Sequence, residues 1–159
     1  MRRPSLTFFF GLAVLCLLTP NSARAQWGAG QCLVPGLSPA AVIESCEDAL
    51  TIDPTHPEVL YKIGWALSEM GAHLDAVASY REAIRNQPNH PQAHFGLGKS
   101  LEKLGRFDEA LAAFRDALRL NPENAAAKKR IESLSARIEN RKKEEPSRAL
   151  AAEKKDRKA

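Results

Sequence analysis

The sequence predicts an all-α protein built as a short solenoid of helical hairpins, and three observations predict it. A 34-residue spacing carries Gly64, Leu67, Gly71, Ala76, Ala83 and Pro88 onto Gly98, Leu101, Gly105, Ala110, Ala117 and Pro122. The same offset pairs Ile63 with Leu97, Tyr80 with Phe114 and Ile84 with Leu118, so large apolar positions recur along with small ones. Within each period, apolar residues fall at three- and four-residue steps in two stretches, divided by a glycine and closed by a proline.

Taken in chain order, residues 1–25 read as a cleaved signal peptide rather than as part of the fold. Arg2 and Arg3 precede an apolar run of 13 residues, Leu6 to Leu18, and Ala23-Arg24-Ala25 offers small residues for a signal peptidase before Gln26. A spanning helix needs about 20 apolar residues, so a transmembrane anchor is not expected. The mature chain is therefore expected to be periplasmic or secreted. Losing Arg2, Arg3 and Arg24 takes the 23 basic residues to 20, against 19 acidic ones. The charge is unevenly spread, with 8 basic and 13 acidic residues from Gln26 to Ala127, then 12 basic and 6 acidic from Lys128 onward.

Residues 26–37 contain Gly28, Gly30, Pro35 and Gly36, too many breakers for a helix, and read as an irregular segment. Cleavage of the leader leaves Cys32 and Cys46 in a compartment where disulfides persist, which favours pairing them. A loop of this size stabilises by about 3 kcal/mol in the chain-entropy model. The alternative is a small buried Cys46 and a free Cys32.

Val42, Cys46, Ala49, Leu50 and Pro54 stand 34 residues before Ala76, Tyr80, Ala83, Ile84 and Pro88. Residues 38–56 are thus expected to form half a repeat, its second helix without its first. In repeat 57–90, Leu60, Ile63, Gly64, Leu67 and Met70 line one side of a helix from Pro57 to Met70. A second helix, beginning at Asp75, follows Gly71. Repeat 91–124 has the same plan. Gly64 with Ala76, and Gly98 with Ala110, let the two helices of a hairpin approach closely, and Ala83 and Ala117 admit the neighbouring hairpin. Residues 125–142 continue as a capping helix, with Ile131, Leu134 and Ile138 on one side and Glu132 where the repeats have glycine. Residues 143–159 read as a charged, solvated or frayed tail.

The motif Leu97-Gly98, Leu101, Gly105, Phe107-Asp108-Glu109-Ala110, Phe114, Ala117 and Asn121-Pro122 resembles a tetratricopeptide repeat, as does its counterpart in residues 57–90. In the first unit His73 replaces the aromatic residue that Phe107 supplies, which predicts a looser turn there. The resemblance implies a right-handed solenoid in which the first helix of each repeat lines a concave, peptide-holding groove. It places Tyr61, Lys62 and Trp65 from one repeat and Phe95, Lys99 and Lys103 from the next in that groove. Tyr61, Trp65 and Phe95 then lie outside the regular core stripe, and exposed aromatic side chains are common interface anchors. Packing beneath residues 26–37, or for Phe95 a thicker contact between helices, is the other use open to these rings. Trp65 and Gly96 stand where chaperone-binding members of the family are expected to carry clamp asparagines, which disfavours that subclass.

No nucleophile, base and orienter assemble, and no phosphate loop or Cys-x-x-Cys pair is present, so neither an enzyme nor a cofactor is expected. His56 and His90 recur just after the prolines and read as turn residues. His90 and His94 are four apart but lack a third ligand, so no metal site is expected. The expected partner is a protein or peptide bound by a non-enzymatic adaptor of the envelope or secreted space. The alternatives are self-assembly through the truncated repeat, giving a homo-oligomer, or attachment of the basic tail to an anionic surface. Nucleic acid is not expected, since the tail holds no aromatic residue to stack on bases.

Overall fold

The computed structural model describes Cys32 and residues 36–156; the signal peptide assigned to residues 1–25 and most of segment 26–37 lie outside the described residues. Six helices follow in order: α1 Pro39–Ile52, α2 Pro57–Glu69, α3 His73–Asn86, α4 Pro91–Lys103, α5 Phe107–Leu120 and α6 Ala125–Asp156. Among the described residues every regular element of secondary structure is helical, as the 34-residue pattern predicts.

Starts and stops are set locally. Pro39, Pro57 and Pro91 each occupy a first helical position, where a missing N–H costs nothing and φ is already suitable. Ser38 caps α1 by accepting from the Ala41 N–H at 3.3 Å, and Asn124 caps α6 by accepting from Ala127 at 3.0 Å. Gly71 and Gly105 leave α2 and α4 with φ of 82° and 75°, a left-handed turn that side chains resist.

The two turns are equally tight, which corrects the expectation drawn from His73. In each, an N–H just past the glycine reaches back to a helical carbonyl at 2.9 Å, Ala72 to Leu67 and Arg106 to Leu101. Glycine and backbone hydrogen bonds close these turns, so the aromatic residue that follows does not decide them. For the same reason α3 begins at His73, two residues before the expected Asp75.

Each helix packs against the next, giving hairpins α2–α3 and α4–α5, with α1 before them and α6 after; α2 and α4 also touch, side by side. The core divides into three clusters. At the N-terminal end Cys32, Val42, Cys46, Ala49, Val59, Ile63 and Ala66 are buried together. Cys32 and Cys46 are disulfide-bonded, with Cα atoms 4.7 Å apart, so Cys32 is pinned against α1. Cys32 is helical, where the breakers of residues 26–37 led to an irregular segment being expected. Leu60, Ala76, Tyr80, Ala83 and Ala93 fill the middle. At the C-terminal end Leu101, Leu111, Phe114, Leu134 and Ile138 close the stack.

The boundary drawn at residue 142 falls inside α6, which runs unbroken to Asp156. Up to Ile138 packing holds this helix against α5. Beyond, the composition itself is helical: Ala, Glu, Lys and Arg are strong helix formers, and Glu139 and Glu144 precede Lys143 and Arg148 by four residues. High charge predicted a solvated or frayed tail, and the same residues also suit a helix.

Candidate binding groove

The repeat spacing brings the first helices α2 and α4 alongside each other over the ring of Tyr80. A Cβ added at Gly64 would meet Tyr80 Cδ1 at 2.9 Å, and one at Gly96 would meet Tyr80 Cζ at 2.5 Å. The ring therefore lies between a glycine of its own hairpin and a glycine of the next. Gly98 does for Phe114 what Gly64 does for Tyr80, at 2.8 Å. Gly96 has no equivalent in the first repeat, where Lys62 stands, and it is what lowers α4 onto the Tyr80 ring.

Between α2 and α4 an open cleft of about 220 Å³ is lined by Tyr61, Trp65, Phe95 and Lys99, with Ser68, Glu69, Gln92 and Asn124 around them and Tyr80 and Gly96 beneath. A second open cleft of about 310 Å³ shares Ser68, Glu69 and Lys99 with the first and adds Gly71, His73 and Lys103. The two form one trough, aromatic at one end and cationic at the other. Of the six groove residues expected from sequence, Tyr61, Trp65, Phe95 and Lys99 meet in one cleft, and Lys103 lies in the adjoining one. Lys62 lines neither; its Nζ stands 5.8 Å from the Trp65 ring centroid.

The three rings both line the cleft and pack on the core, so the two uses left open for them coincide. Each is half-buried and backed by a different cluster. Trp65 packs on the cluster that contains the disulfide, and Phe95 on the C-terminal cluster, 5.4 Å from the Phe114 ring. Tyr61 packs on the middle cluster, 6.1 Å from Tyr80 and 5.0 Å from His90. Groove lining and core packing are thus two faces of the same rings. Held rings lose little rotamer freedom when a partner covers them.

Burial pushes the Tyr61 hydroxyl above the ordinary tyrosine range, and the Glu58 carboxylate adds to it. Tyr80 is raised further, first by burial, then by Tyr61 and Glu69. Both phenols therefore stay protonated at neutral pH.

His90 does more than turn the chain. Its Nδ1 accepts from the Ala93 N–H at 3.3 Å, which assigns the proton to Nε2, and Nε2 donates to Glu58 Oε2 at 3.1 Å. The ring, 4 % exposed, thereby caps α4 and ties the start of α4 to the start of α2. His94 turns elsewhere, its Nε2 donating to the Pro88 carbonyl at 3.0 Å. Both imidazoles are committed to the protein, and no cluster of three metal-ligating side chains occurs among the described residues. The role of His90 was hidden because its partner lies 32 residues away. Gly96 offered a readable signal, a glycine inside a helix with no counterpart one repeat earlier.

Residues 61–128 match the family model described as tetratricopeptide repeat. Among solved structures, the Arabidopsis OM64 domain is 22% identical with a TM-score of 0.66, covering 72% of this chain and 97% of that one. MamA is 23% identical with a TM-score of 0.65, covering 87% and 81%. The first repeat domain of Spaghetti (RPAP3), bound to an HSP90 peptide, is 16% identical with a TM-score of 0.65, covering 74% and 92%. At these identities the likeness is one of fold. No curated protein sequence matches the chain.

Proposed function

We propose that this chain, whose residues 61–128 match the tetratricopeptide-repeat model, is a non-enzymatic adaptor, holding an extended segment of another protein in the trough between α2 and α4. One observation carries the reading: three half-buried aromatic rings from two successive repeats line a single open cleft, each braced by the core. The bound state of Spaghetti supports it at the level of the fold, since that domain holds a peptide. The clamp asparagines expected of chaperone binders are replaced here by Trp65 and Gly96, so a different peptide is expected.

The signal-peptide pattern of residues 1–25 supports export, and with it a partner in the envelope or secreted space. Among the described residues no helix is long and apolar enough to cross a membrane. Self-assembly through the half repeat draws less support, because the outward side of α1 carries Glu44, Glu47 and Asp48, all exposed, over a core already closed by Cys32. Attachment to an anionic surface rests on the exposed Lys128, Lys129, Arg137, Lys142 and Lys143 of α6.

The test is cross-linked capture by the mature exported chain, compared with a Trp65→Ala, Tyr61→Ala double variant. A partner recovered by the parent and lost by a double variant that still melts cooperatively is the expected result. Undiminished recovery rejects this groove.

A further inference from the structure

The basic residues of the repeat body are sorted by type and by place. From Gln26 to Ala127 the chain holds Lys62, Arg81, Arg85, Lys99, Lys103, Arg106, Arg115 and Arg119. The arginines lie on α3, α5 or the turn before α5, and four of the five pair with carboxylates: Arg81 and Arg106 with Glu109, Arg85 with Glu82, and Arg119 with Asp116. All three lysines lie on the first helices, on or beside the trough. None has a carboxylate within ion-pair distance among the described residues.

That isolation is built by other pairings. Glu102, three residues from Lys99 and next to Lys103, is taken by Arg130 of α6 at 3.0 Å. Glu58, at the start of α2, keeps its charge but is hydrogen-bonded to His90 at 3.1 Å, away from the lysines. The acid left in the trough is Glu69, exposed at the C-terminal end of α2, where the helix dipole disfavours an anion. Lys99 and Lys103, one turn apart on α4, therefore give the cationic end of the trough a net positive charge in a body that is otherwise acidic.

We propose that the trough selects an acidic segment: an apolar side chain seats among Tyr61, Trp65 and Phe95, and a neighbouring Asp or Glu side chain within the segment pairs with Lys99 and Lys103. The inference rests on the peptide-binding reading and adds the chemistry of the peptide. An internal carboxylate fits because both clefts are open and continuous, so a chain passes along them. Lys99 borders both clefts, which sets the acid close to the apolar residue in sequence. Partial enclosure by aromatic walls strengthens the pairing relative to open solvent, and salt weakens it.

The experiment selects binders to the disulfide-bonded mature chain from a random peptide library displayed on phage through its C-terminus, so that no free carboxylate is offered. Expected are peptides with Asp or Glu beside an apolar residue, whose affinity falls about tenfold in the Lys99→Gln, Lys103→Gln variant, as two partly enclosed ion pairs would give. Trp65→Ala is expected to abolish their binding, and helicity by circular dichroism verifies that each variant folds. Binders that lose affinity on Trp65→Ala, but are not acidic or are indifferent to the lysine changes, overturn the acidic preference and leave the groove standing. No binders, or binders indifferent to Trp65→Ala, overturn both.

Discussion

The two ends of the solenoid meet the same problem differently. At the C-terminal end the repeat pattern continues, and α6 lays Ala127, Leu134 and Ile138 against α5, while Arg137 stacks over Phe107 at 4.3 Å. At the N-terminal end Cys32, itself in helical conformation, is buried with Val42, Ala49 and Val59 and bonded to Cys46. Among the described residues, the C-terminal end is held by side-chain packing along α6, and the N-terminal end adds a covalent bond to its packing. The difference reaches the groove, because Trp65 rests on the N-terminal cluster and Phe95 on the C-terminal one. Each wall of the trough is as firm as the end behind it.

The comparison is broken most severely at the helical end. Leu134 is 1% exposed, and Leu134→Ala is expected to cost about 2–5 kcal/mol in urea unfolding, by lost burial and the cavity left behind. A loss below about 1 kcal/mol, at the small end for core truncation, would mean that α6 is not what closes this end. At the other end, Cys46→Ser is expected to cost about 3 kcal/mol in the chain-entropy model. Measured in a Trp27→Phe background, it should also shift Trp65 emission to longer wavelength as the wall loosens. Equal melting of parent and variant, with unchanged emission, removes the role given to the bond.

Between the ends, Gly96→Ala is expected to cost about 1–3 kcal/mol by driving a methyl into the Tyr80 ring, less up to about 1 kcal/mol of helix propensity regained. Tyr80→Ala in the same chain should suppress most of that increment, so additive losses in a double-mutant cycle would contradict the contact. The smallest effect is alkaline. Because burial raises Tyr80 in the folded chain, the unfolded chain loses that proton first as pH passes about 10, so stability falls from there upward. Tyr80→Phe should flatten this decline without changing stability slopes near neutrality, and an unaltered slope above pH 10 would assign the effect to another group.

How far each part was legible follows from the range of the interactions that made it. The helices and turns rest on contacts within a few residues, and Gly71, Gly105 and the prolines announced them. The helix Pro39–Ile52 was legible too, because Val42, Cys46 and Ala49 keep the 34-residue register. The looser turn expected at His73 failed because an aromatic neighbour was credited with work done by glycine and the backbone. The helical course of α6 past residue 142 was less legible, because charge drew attention to solvation where helix propensity also applied. In the groove, the side of the helix was readable but the depth was not: half-burial of Tyr61, Trp65 and Phe95 depends on which cluster lies behind each.

The sequence by itself determined the repeat, its register and the resemblance to tetratricopeptide repeats, since a hairpin that must stack on copies of itself repeats its small and large residues at fixed places. Only the tertiary structure decided which charges are spent and which are free. Glu102 meets Arg130 and Glu58 meets His90 across about one repeat of chain, 28 and 32 residues apart, and Lys99 and Lys103 stand beside the aromatic cleft with no ion-pair partner among the described residues. Periodicity is a property of neighbours along the chain, but pairing is a property of neighbours in space.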